Sequence, residues 1–301
     1  MVDGFVNILK PSGPTSHDMV AYVRRLLGIR RVGHAGTLDP LACGVLVIAV
    51  GRATRLISYL ERTRIYRGEI TFGLTTSTLD SGGEIVAKSP TGLQRQELEE
   101  LLLNFTGPIY QVPPMVSALK WQGQRLYNLA RKGIEIDRKP RRVLIKKLEL
   151  LSFTPDECHP QALIECICTE GTYVRSLAAD IGEALGCGAY LSFLLRTQSG
   201  PFSVSSSLTP NEFEIALKHD QISRWLCPPQ DALHNLPTVI LDEKDSNSFV
   251  HGNQILLHQD ILSCNKTIAV RVLNRSGVFL GVGNIDLSDL NRLLKPKVVF
   301  N

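Results

Sequence analysis

A single carboxylate among glycines is the feature of this 301-residue sequence that most suggests chemistry. Asp39 lies in the run GHAGTLDPLACGVL, which occupies residues 33–46. Pro40 biases the preceding residue toward an extended conformation. A carboxylate on such a turn, directly before an apolar strand, can point into a cleft as a nucleophile or base must. Composition alone equally allows an ordinary turn or capping aspartate, because Asp-Pro is common in turns.

The sequence gives little support for metal or redox chemistry. Its seven cysteines form no CxxC pair, and its seven histidines lack the spacing of metal ligands. We therefore expect free buried thiols, with Cys166 and Cys168 on one face of a strand. No metal and no cofactor are expected.

The charge of the chain is concentrated in two segments. The formal net charge is +4, yet residues 1–70 carry +5 and residues 111–150 carry +7, which leaves −8 for the rest. Such focused basic segments favour an anionic partner, with nucleic acid the first candidate. The longest apolar runs are far shorter than the roughly 18 to 20 residues that cross a bilayer. The first residues carry no targeting or lipidation signal, so we expect a cytoplasmic protein without a membrane partner.

The elements that must position Asp39 can be predicted from periodicity. Val45–Val50 is typical of a buried strand directly after the glycine-rich loop, and Val6–Leu9 and Tyr66–Phe72 are predicted strands. An amphipathic helix follows Thr15 or Ser16, either of which can serve as its N-cap, and ends at Gly28. Further predicted strands are Val143–Leu151 and Ala162–Cys168, and helix faces are predicted at Leu98–Phe105 and Val174–Leu185. Beyond about residue 230, short β-like runs suggest a small β-rich module.

The order of residues around Asp39 resembles the catalytic signature of the bacterial tRNA pseudouridine-55 synthases, the TruB family. The resemblance continues over nearly the whole chain, in motifs that would not recur in order by chance. These are GxxxxxKPxGxTS at 4–16, YRGEITFG at 66–73, PPMVSALKxxGxRLY at 113–127, ARxGIE at 130–135 and GTYVRSL at 171–177.

The resemblance implies an isomerase that detaches uracil from its ribose, rotates it and rejoins it through carbon 5, without cofactor or metal. Asp39 matches the catalytic aspartate, which attacks the ribose C1′ or assists cleavage of the glycosidic bond. Arg175 matches the arginine that pairs with this aspartate and keeps it charged, since burial alone would raise its pKa. Tyr66 matches a tyrosine that packs on the target base. Without the motifs, a solvated arginine and a core aromatic would be the simpler interpretations.

The resemblance also implies residues that bind the substrate. His34 matches a histidine that fills the space left by the flipped uridine, and Leu194 corresponds to an apolar wall of the pocket. Residues 108–142 resemble a mobile thumb that closes over the tRNA T-loop, with Lys120, Arg125 and Arg131 among its basic residues. Alternatively, the basic residues of this segment form a charged face that is exposed to solvent and binds nothing.

The sequence leaves the roles of Lys10 and Asp80 open. Lys10 could contact the RNA similarly, although a lysine that frames its turn is equally consistent with the sequence. Asp80 remains in a loop whose family pattern is TDTxDxxG, but Ser77 replaces the first acid, which puts a contact near the site in doubt. Leu195 also replaces an arginine of the frequent LRRT, which removes a candidate for a phosphate contact.

The fold class expected from this resemblance is α+β. A mixed, largely antiparallel sheet of the pseudouridine synthase type should occupy residues 1–235, including the 108–142 thumb segment. A small C-terminal β-barrel (PUA-like) RNA-binding domain should occupy residues 236–301. We expect a monomer that acts on the T-arm of tRNA, at uridine 55, without an obligate protein partner.

Two alternative functions share the same surfaces. One is a guide-RNA-dependent pseudouridine synthase of a ribonucleoprotein, which the thumb segment disfavours because those relatives largely lack it. The other is a non-catalytic tRNA-folding protein, which the intact Asp39, Tyr66 and Arg175 disfavour.

Overall fold

The computed structural model describes residues 3–117, 119–257, 267–286 and 292–300. One cysteine of the sequence, Cys264, lies outside these residues, and the six cysteines within them are free thiols. In the described ranges, no helix combines the length and hydropathy needed to cross a membrane.

The helices and strands alternate irregularly along the chain. The strands are β1 (Gly4–Lys10), β2 (Val32–His34), β3 (Cys43–Val50), β4 (Thr63–Phe72), β5 (Leu74–Thr76), β6 (Ile85–Lys88), β7 (Gly107–Gln111), β8 (Lys120–Trp121), β9 (Gln124–Arg125), β10 (Arg141–Thr154), β11 (Gln161–Thr169), β12 (Ala189–Ser199), β13 (Phe202–Ser203), β14 (Leu226–Cys227), β15 (Thr238–Leu241), β16 (Ile255–Leu256), β17 (Thr267–Asn274), β18 (Phe279–Asp286) and β19 (Leu293–Val299). The α-helices are α1 (Ser16–Leu27), α2 (Arg95–Leu102), α3 (Leu126–Ala130), α4 (Val174–Ala184), α5 (Pro210–Lys218), α6 (Pro229–Ala232) and α7 (Glu243–Val250). Short 3₁₀ segments cover Gly51–Tyr59, Leu103–Phe105, Val204–Ser206 and Ile222–Arg224.

A large mixed sheet forms the framework of the N-terminal part. Among the described residues it contains ten strands, eight of them in the order β14-β1-β3-β12-β4-β11-β10-β7, with β2 and β13 paired at its side. All of its pairs are antiparallel except β12 with β3. This arrangement confirms the predicted fold class. Strands β5 and β6 form a hairpin outside the sheet, and β8 and β9 form another hairpin in the thumb segment.

Strand β3 is buried on both faces, which explains its unbroken apolar sequence. Leu46, Ile48 and Val50 pack into a core that includes residues of α1 and α4. The alternate residues Val45 and Val47 pack into a second core on the opposite face. A strand covered on both sides needs no polar alternation. The loop that carries Asp39 is therefore attached directly to one of the best-packed strands of the protein.

Helix α1 begins and ends as the sequence predicts. Thr15 is the N-cap, and it forms a capping box with Asp18. Gly28 ends the helix in the left-handed conformation, with φ of 64°. The predicted helix face at Leu98–Phe105 is divided, because α2 ends at Leu102 and Phe105 lies in a 3₁₀ turn.

The C-terminal part contains a second sheet with the strand order β15-β17-β18-β19-β16. Its own core gathers residues such as Phe249 of α7 and Val272 of β17. Three further residues, Phe279, Val282 and Val298, pack into the second core of the large sheet. This curled five-stranded unit, described without residues 258–266 and 287–291, is consistent with a PUA-like domain.

Lys10 is fully buried at the end of β1, and it frames the turn that follows. Its Nζ donates to the carbonyl oxygens of Pro11 and Pro40, each at 2.9 Å, and of Ala42 at 2.7 Å. The ammonium group is thus saturated by protein acceptors, one in the turn after β1 and two directly after Asp39. Of the two alternatives predicted for Lys10, the structure favours the framing lysine over a contact with RNA. Burial lowers the pKa of Lys10 to about 8.

We predict that Lys10→Met lowers the free energy of unfolding by about 1–3 kcal/mol at pH 7, because three carbonyl groups lose their donor. The difference in the free energy of unfolding between wild type and Lys10→Met should increase toward pH 9.5. The pKa of Lys10 is about 8 in the folded protein against 10.5 ordinarily. Between these values the unfolded chain therefore binds more protons, so the lysine adds stability as pH rises. Urea denaturation at both pH values measures this difference. The exposed Lys88→Met is the control and should change stability by less than about 0.5 kcal/mol; equal effects of the two substitutions would contradict the framing role.

Candidate active site

A cavity of about 270 Å³ opens where the loop before β3 meets β4, β12 and the start of α4. Its size lies near the lower end of the range for small-ligand pockets, roughly 300–1,000 Å³. The wall combines two acidic residues, three arginines, two tyrosines and several apolar and small residues. These are Gly36, Thr37, Leu38, Asp39, Arg64, Tyr66, Ser117, Leu119, Glu170, Gly171, Thr172, Tyr173, Val174, Arg175, Leu194 and Arg196.

Asp39 and Arg175 meet in this cavity as an ion pair. The Nε of Arg175 lies 2.9 Å from Oδ2 of Asp39, and its Nη1 lies 3.3 Å from Oδ2 of Asp80. Arg175 is buried, which excludes the solvated arginine that composition alone allowed. One guanidinium group therefore contacts two carboxylates. The sequence predicted the first pair, and it left the position of Asp80 open.

The pKa of Asp39 is set by opposing effects. Removal of water raises the pKa above its ordinary value, the adjacent Arg175 lowers it, and the nearby Asp80 raises it again. The net direction is upward. Without Arg175, burial and the like charge of Asp80 would both favour the protonated, unreactive acid.

Arg175 is held in place by the backbone of two other segments. Its Nη1 donates to the carbonyl of Thr78 at 3.1 Å, and its Nη2 donates to the carbonyl of Val116 at 2.8 Å. Gln111 at the end of β7 clamps the residue before α4, since it donates to the carbonyl of Tyr173 at 3.2 Å and accepts from its N–H at 3.0 Å. The helix start that presents Arg175 is thereby fixed from outside the helix.

The loop that carries Asp39 is fixed by side chains from three elements. Arg196 of β12 donates to the carbonyls of Gly36 at 3.1 Å and Thr37 at 3.3 Å. Ser16 of α1 accepts from the N–H of Leu38 at 2.8 Å and donates to its carbonyl at 3.0 Å. Together with Lys10, these bonds satisfy the loop backbone on both sides of Asp39. A loop held in this way needs little reorganisation to present its carboxylate.

Tyr66 and Leu194 both line the cavity. Both are nearly buried, and Tyr66 belongs to β4 while Leu194 belongs to β12. Burial raises the pKa of the Tyr66 hydroxyl, against the opposing effect of Arg196. The phenol therefore stays neutral near pH 7.

His34 lies in β2, two residues before the cavity wall begins at Gly36. Burial, with a smaller contribution from the Arg196 charge, holds the pKa of His34 below its ordinary value. The imidazole is accordingly neutral at pH 7. The side chain is not part of the described cavity wall, and its predicted contact with substrate stays a prediction.

The basic residues of the thumb segment lie outside the cavity. Lys120, Arg125 and Arg131 are exposed, in and after the β8-β9 hairpin. The stem of the same segment does reach the site, because Ser117 and Leu119 are part of the cavity wall. The structure thus brings the thumb to the rim of the site but does not bring these three cations to Asp39.

The replacement Ser77 does not disrupt its loop. Its backbone N–H donates to the carbonyl of Glu84 at 2.9 Å, and its Oγ accepts from the N–H of Glu84 at 3.2 Å. The β5-β6 turn therefore still delivers Asp80 to Arg175.

Sequence reasoning missed the importance of Arg64 and Arg196 in the cavity. Both are almost completely buried. Arg64 shares the inward alternation of β4 with Tyr66 and Gly68, and Arg196 shares that of β12 with Leu194. A charge at a position that strand alternation assigns to the core was the available signal.

The arrangement supports carboxylate chemistry on a ligand that is flat and partly apolar. Asp39 can act as a nucleophile or base, Tyr66 and Leu194 offer surfaces for a planar ring, and the arginines attract anionic groups. Among the described residues, no three His, Cys, Asp or Glu side chains are placed to hold a metal ion.

Three family models match successive parts of the chain. Residues 24–174 match the model described as TruB family pseudouridylate synthase (N terminal domain). Residues 175–234 match tRNA pseudouridylate synthase B C-terminal domain, and residues 237–300 match Pseudouridine synthase II TruB, C-terminal. The first model alone covers half of the sequence.

Curated proteins named tRNA pseudouridine synthase B are similar to the chain over most of its length. The protein of Symbiobacterium thermophilum is 49% identical over 83% of this chain and 82% of its own. That of Gloeothece citriformis is 43% identical over 99% of this chain and 97% of its own.

Solved structures share the fold. An H/ACA RNP bound to a substrate RNA containing 2′-deoxyuridine has a TM-score of 0.75 at 23% identity, over 99% of this chain and 85% of that one. A Cbf5-Nop10-Gar1 complex has the same TM-score at 26% identity, with the same coverage.

We predict opposite shifts in the pKa of Asp39 when its two charged neighbours are removed. Arg175→Met should raise the pKa, because the carboxylate loses its counter-charge, and Asp80→Asn should lower it, because a like charge disappears. Carbon-13 NMR titration of labelled aspartate carboxyls, with the Asp39 signal assigned by its loss in Asp39→Asn, measures both shifts. Arg67→Met, an exposed arginine on the same strand as Tyr66, is the control and should leave the pKa unchanged. A shift of the same sign in both variants would contradict this electrostatic description.

Proposed function

The chain belongs to the TruB family of pseudouridylate synthases, and from that premise we propose that it isomerises uridine 55 in the T-arm of tRNA to pseudouridine. The observation that carries the proposal is the ion pair of Asp39 with Arg175 inside a cavity that Tyr66 also lines. The relatives named tRNA pseudouridine synthase B support the choice of tRNA as substrate.

Asp39 is the proposed catalytic group. The reaction breaks the bond between N1 of uracil and C1′ of ribose, and forms a bond between C5 and C1′. The proton that C5 carried leaves, and N1 gains one, so the reaction needs no external oxidant, reductant or cofactor. An ionised Asp39 can act at C1′ or assist departure of the base, and Arg175 keeps it ionised.

The target uridine must leave the RNA stack to reach Asp39, at a cost of a few kcal/mol. Stacking on an aromatic side chain returns roughly 1–3 kcal/mol per base. Tyr66 is the residue proposed to supply this surface, with Leu194 as the opposing wall. His34, at the end of β2, is proposed to occupy the space that the uridine leaves.

The thumb segment and the C-terminal sheet are proposed to bind the tRNA outside the cavity. Lys120, Arg125 and Arg131 are exposed and so available to phosphates, whose neutralisation releases counterions. In this proposal residues 1–235 form the catalytic domain and residues 236–301 the PUA-like RNA-binding domain. The protein acts as a monomer in the cytoplasm, where its substrate is found.

A guide-RNA-dependent synthase is the second candidate, because solved H/ACA structures share the fold. The thumb segment favours the stand-alone enzyme, since its stem contributes Ser117 and Leu119 to the cavity wall. The identities of 43–49% to relatives named tRNA pseudouridine synthase B, against 23–26% to the H/ACA structures, favour the same choice.

We predict that the purified protein alone converts uridine 55 of a tRNA transcript, and that Asp39→Asn lowers the rate at least about a thousandfold. Binding of tRNA should change less than about threefold, because no phosphate contact is lost. Tritium release from tRNA labelled at uridine C5 measures the rate, and nucleoside mapping gives the position. Asp231→Asn, an exposed aspartate on α6, is the matched control. A rate within tenfold of wild type in Asp39→Asn, or a requirement for guide RNA, would contradict the proposal.

A further inference from the structure

Arg64 is a buried arginine with one free edge. It is 4% exposed, and it lines the cavity that holds Asp39. Its Nη1 donates to the carbonyls of Glu61 at 2.9 Å and Thr63 at 3.1 Å, which use both hydrogens of that nitrogen. Among the described residues, neither its Nε nor its Nη2 donates a hydrogen bond. The nearest anionic atom is Oε2 of Glu170, 3.8 Å from Nη2.

The free edge of Arg64 faces the loop before Asp39. A Cβ atom at Gly36 would lie 3.5 Å from Nη2 and 3.8 Å from Nε of Arg64. The same Cβ would lie 3.6 Å from Nη1 of Arg196. Because Gly36 has no side chain, the space in front of both guanidinium groups stays open. Its φ of +107° also requires glycine.

Two buried guanidinium groups therefore face the same small space. Arg196 uses its donors on the carbonyls of Gly36, Thr37 and Val45, so it is committed to the loop. Arg64 is not committed in this way. Burial, and secondarily the charge of Arg196, lowers the pKa of Arg64. An anion at the free edge would relieve both effects, since it supplies the missing charge and the missing acceptor.

The shape of the free edge selects the kind of anion. The Nε–H and Nη2–H groups form a planar fork that matches two oxygens of one phosphate or carboxylate. The carbonyl groups of uracil are neutral and do not present such a pair. In an RNA ligand, the group with this geometry is a phosphodiester with its two non-bridging oxygens.

We propose that the Nε–Nη2 edge of Arg64 binds a phosphodiester that flanks the target uridine, as a phosphate subsite on the wall of the catalytic cavity. The inference rests on the proposed function, because it takes RNA as the ligand. The subsite fixes the backbone of the extruded nucleotide, so that C1′ stays beside Asp39 while the base is detached and turned.

In the free protein, the carboxylate of Glu170 is the anionic group nearest to the proposed phosphate subsite. Its Oε2 lies 3.8 Å from Arg64 and 3.9 Å from Nε of Arg62, both beyond hydrogen-bond distance. The side chain of Glu170 is half exposed and that of Arg62 more so. The carboxylate can therefore turn into solvent when a phosphate arrives.

The test uses synthetic T-arm stem-loops with one methylphosphonate linkage, on the 5′ or the 3′ side of the target uridine. In wild type, one of the two linkages should lower single-turnover kcat/KM by about 10- to 100-fold, the range expected for a charged hydrogen bond. Arg64→Met should lose a similar factor on the unmodified RNA. In Arg64→Met, the methylphosphonate should lower kcat/KM further by less than about twofold, because the contact is already absent.

Arg62→Gln is the matched control, since Arg62 shares Glu170 but lies outside the cavity wall. It should retain the full methylphosphonate effect. If each methylphosphonate, 5′ and 3′, lowers the kcat/KM of Arg64→Met by the same factor as that of wild type, the phosphate subsite is overturned. Inactivity of the wild type on the unmodified stem-loop would instead overturn the proposed function, so the two failures are distinguishable.

Glu170→Gln keeps the test decisive if Arg64→Met does not fold, because it leaves Arg64 and its turn intact. Loss of the competing carboxylate should tighten binding of the unmodified stem-loop by about threefold. The gain should vanish with the methylphosphonate at the sensitive linkage. Unchanged affinity, or a gain that persists with the neutral linkage, would overturn the proposal.

Discussion

The buried guanidinium of Arg175 between Asp39 and Asp80 is the interaction on which the rest of the site depends. Two carboxylates beside each other disfavour each other's ionisation, and the one arginine that contacts both offsets part of this repulsion. The same guanidinium group donates to backbone carbonyls of the β5-β6 turn and of the thumb stem. A single side chain therefore links the charge of Asp39 to the positions of the β5-β6 turn and of the thumb stem.

The scaffold around this interaction satisfies the backbone of the Asp39 loop by side chains rather than by strand pairing. Lys10, Ser16 and Arg196 bind carbonyl or N–H groups between Gly36 and Ala42. Each comes from a different element that packs around β3. The geometry of the active site therefore depends on the packing of the core, because displacement of β1, α1 or β12 would release part of the loop.

The sequence predicted the framework well where local patterns decide it. The continuous apolar run of β3 and the capping box of α1 are local signals, and Asp39 was found by an ordered motif. The resemblance also supplied the pairing with Arg175. The role of Lys10 could not be decided, because the same KPxG turn suits a framing or an RNA-binding lysine, and only the three carbonyls around Nζ distinguish them. Arg64 and Arg196 were missed because their importance depends on β4 and β12, which are distant in sequence, pair in the folded sheet and bring both guanidinium groups beside Gly36.

In the proposed reaction, Asp39 acts as an anion and Arg175 keeps it ionised. The pH dependence of single-turnover pseudouridine formation in wild type and in Arg175→Met tests this pairing. We expect both rates to rise with pH through one ionisation, with a midpoint at higher pH in the variant, where the counter-charge is absent. Identical midpoints, or a rate independent of pH in both proteins down to the limit of folding, would contradict it.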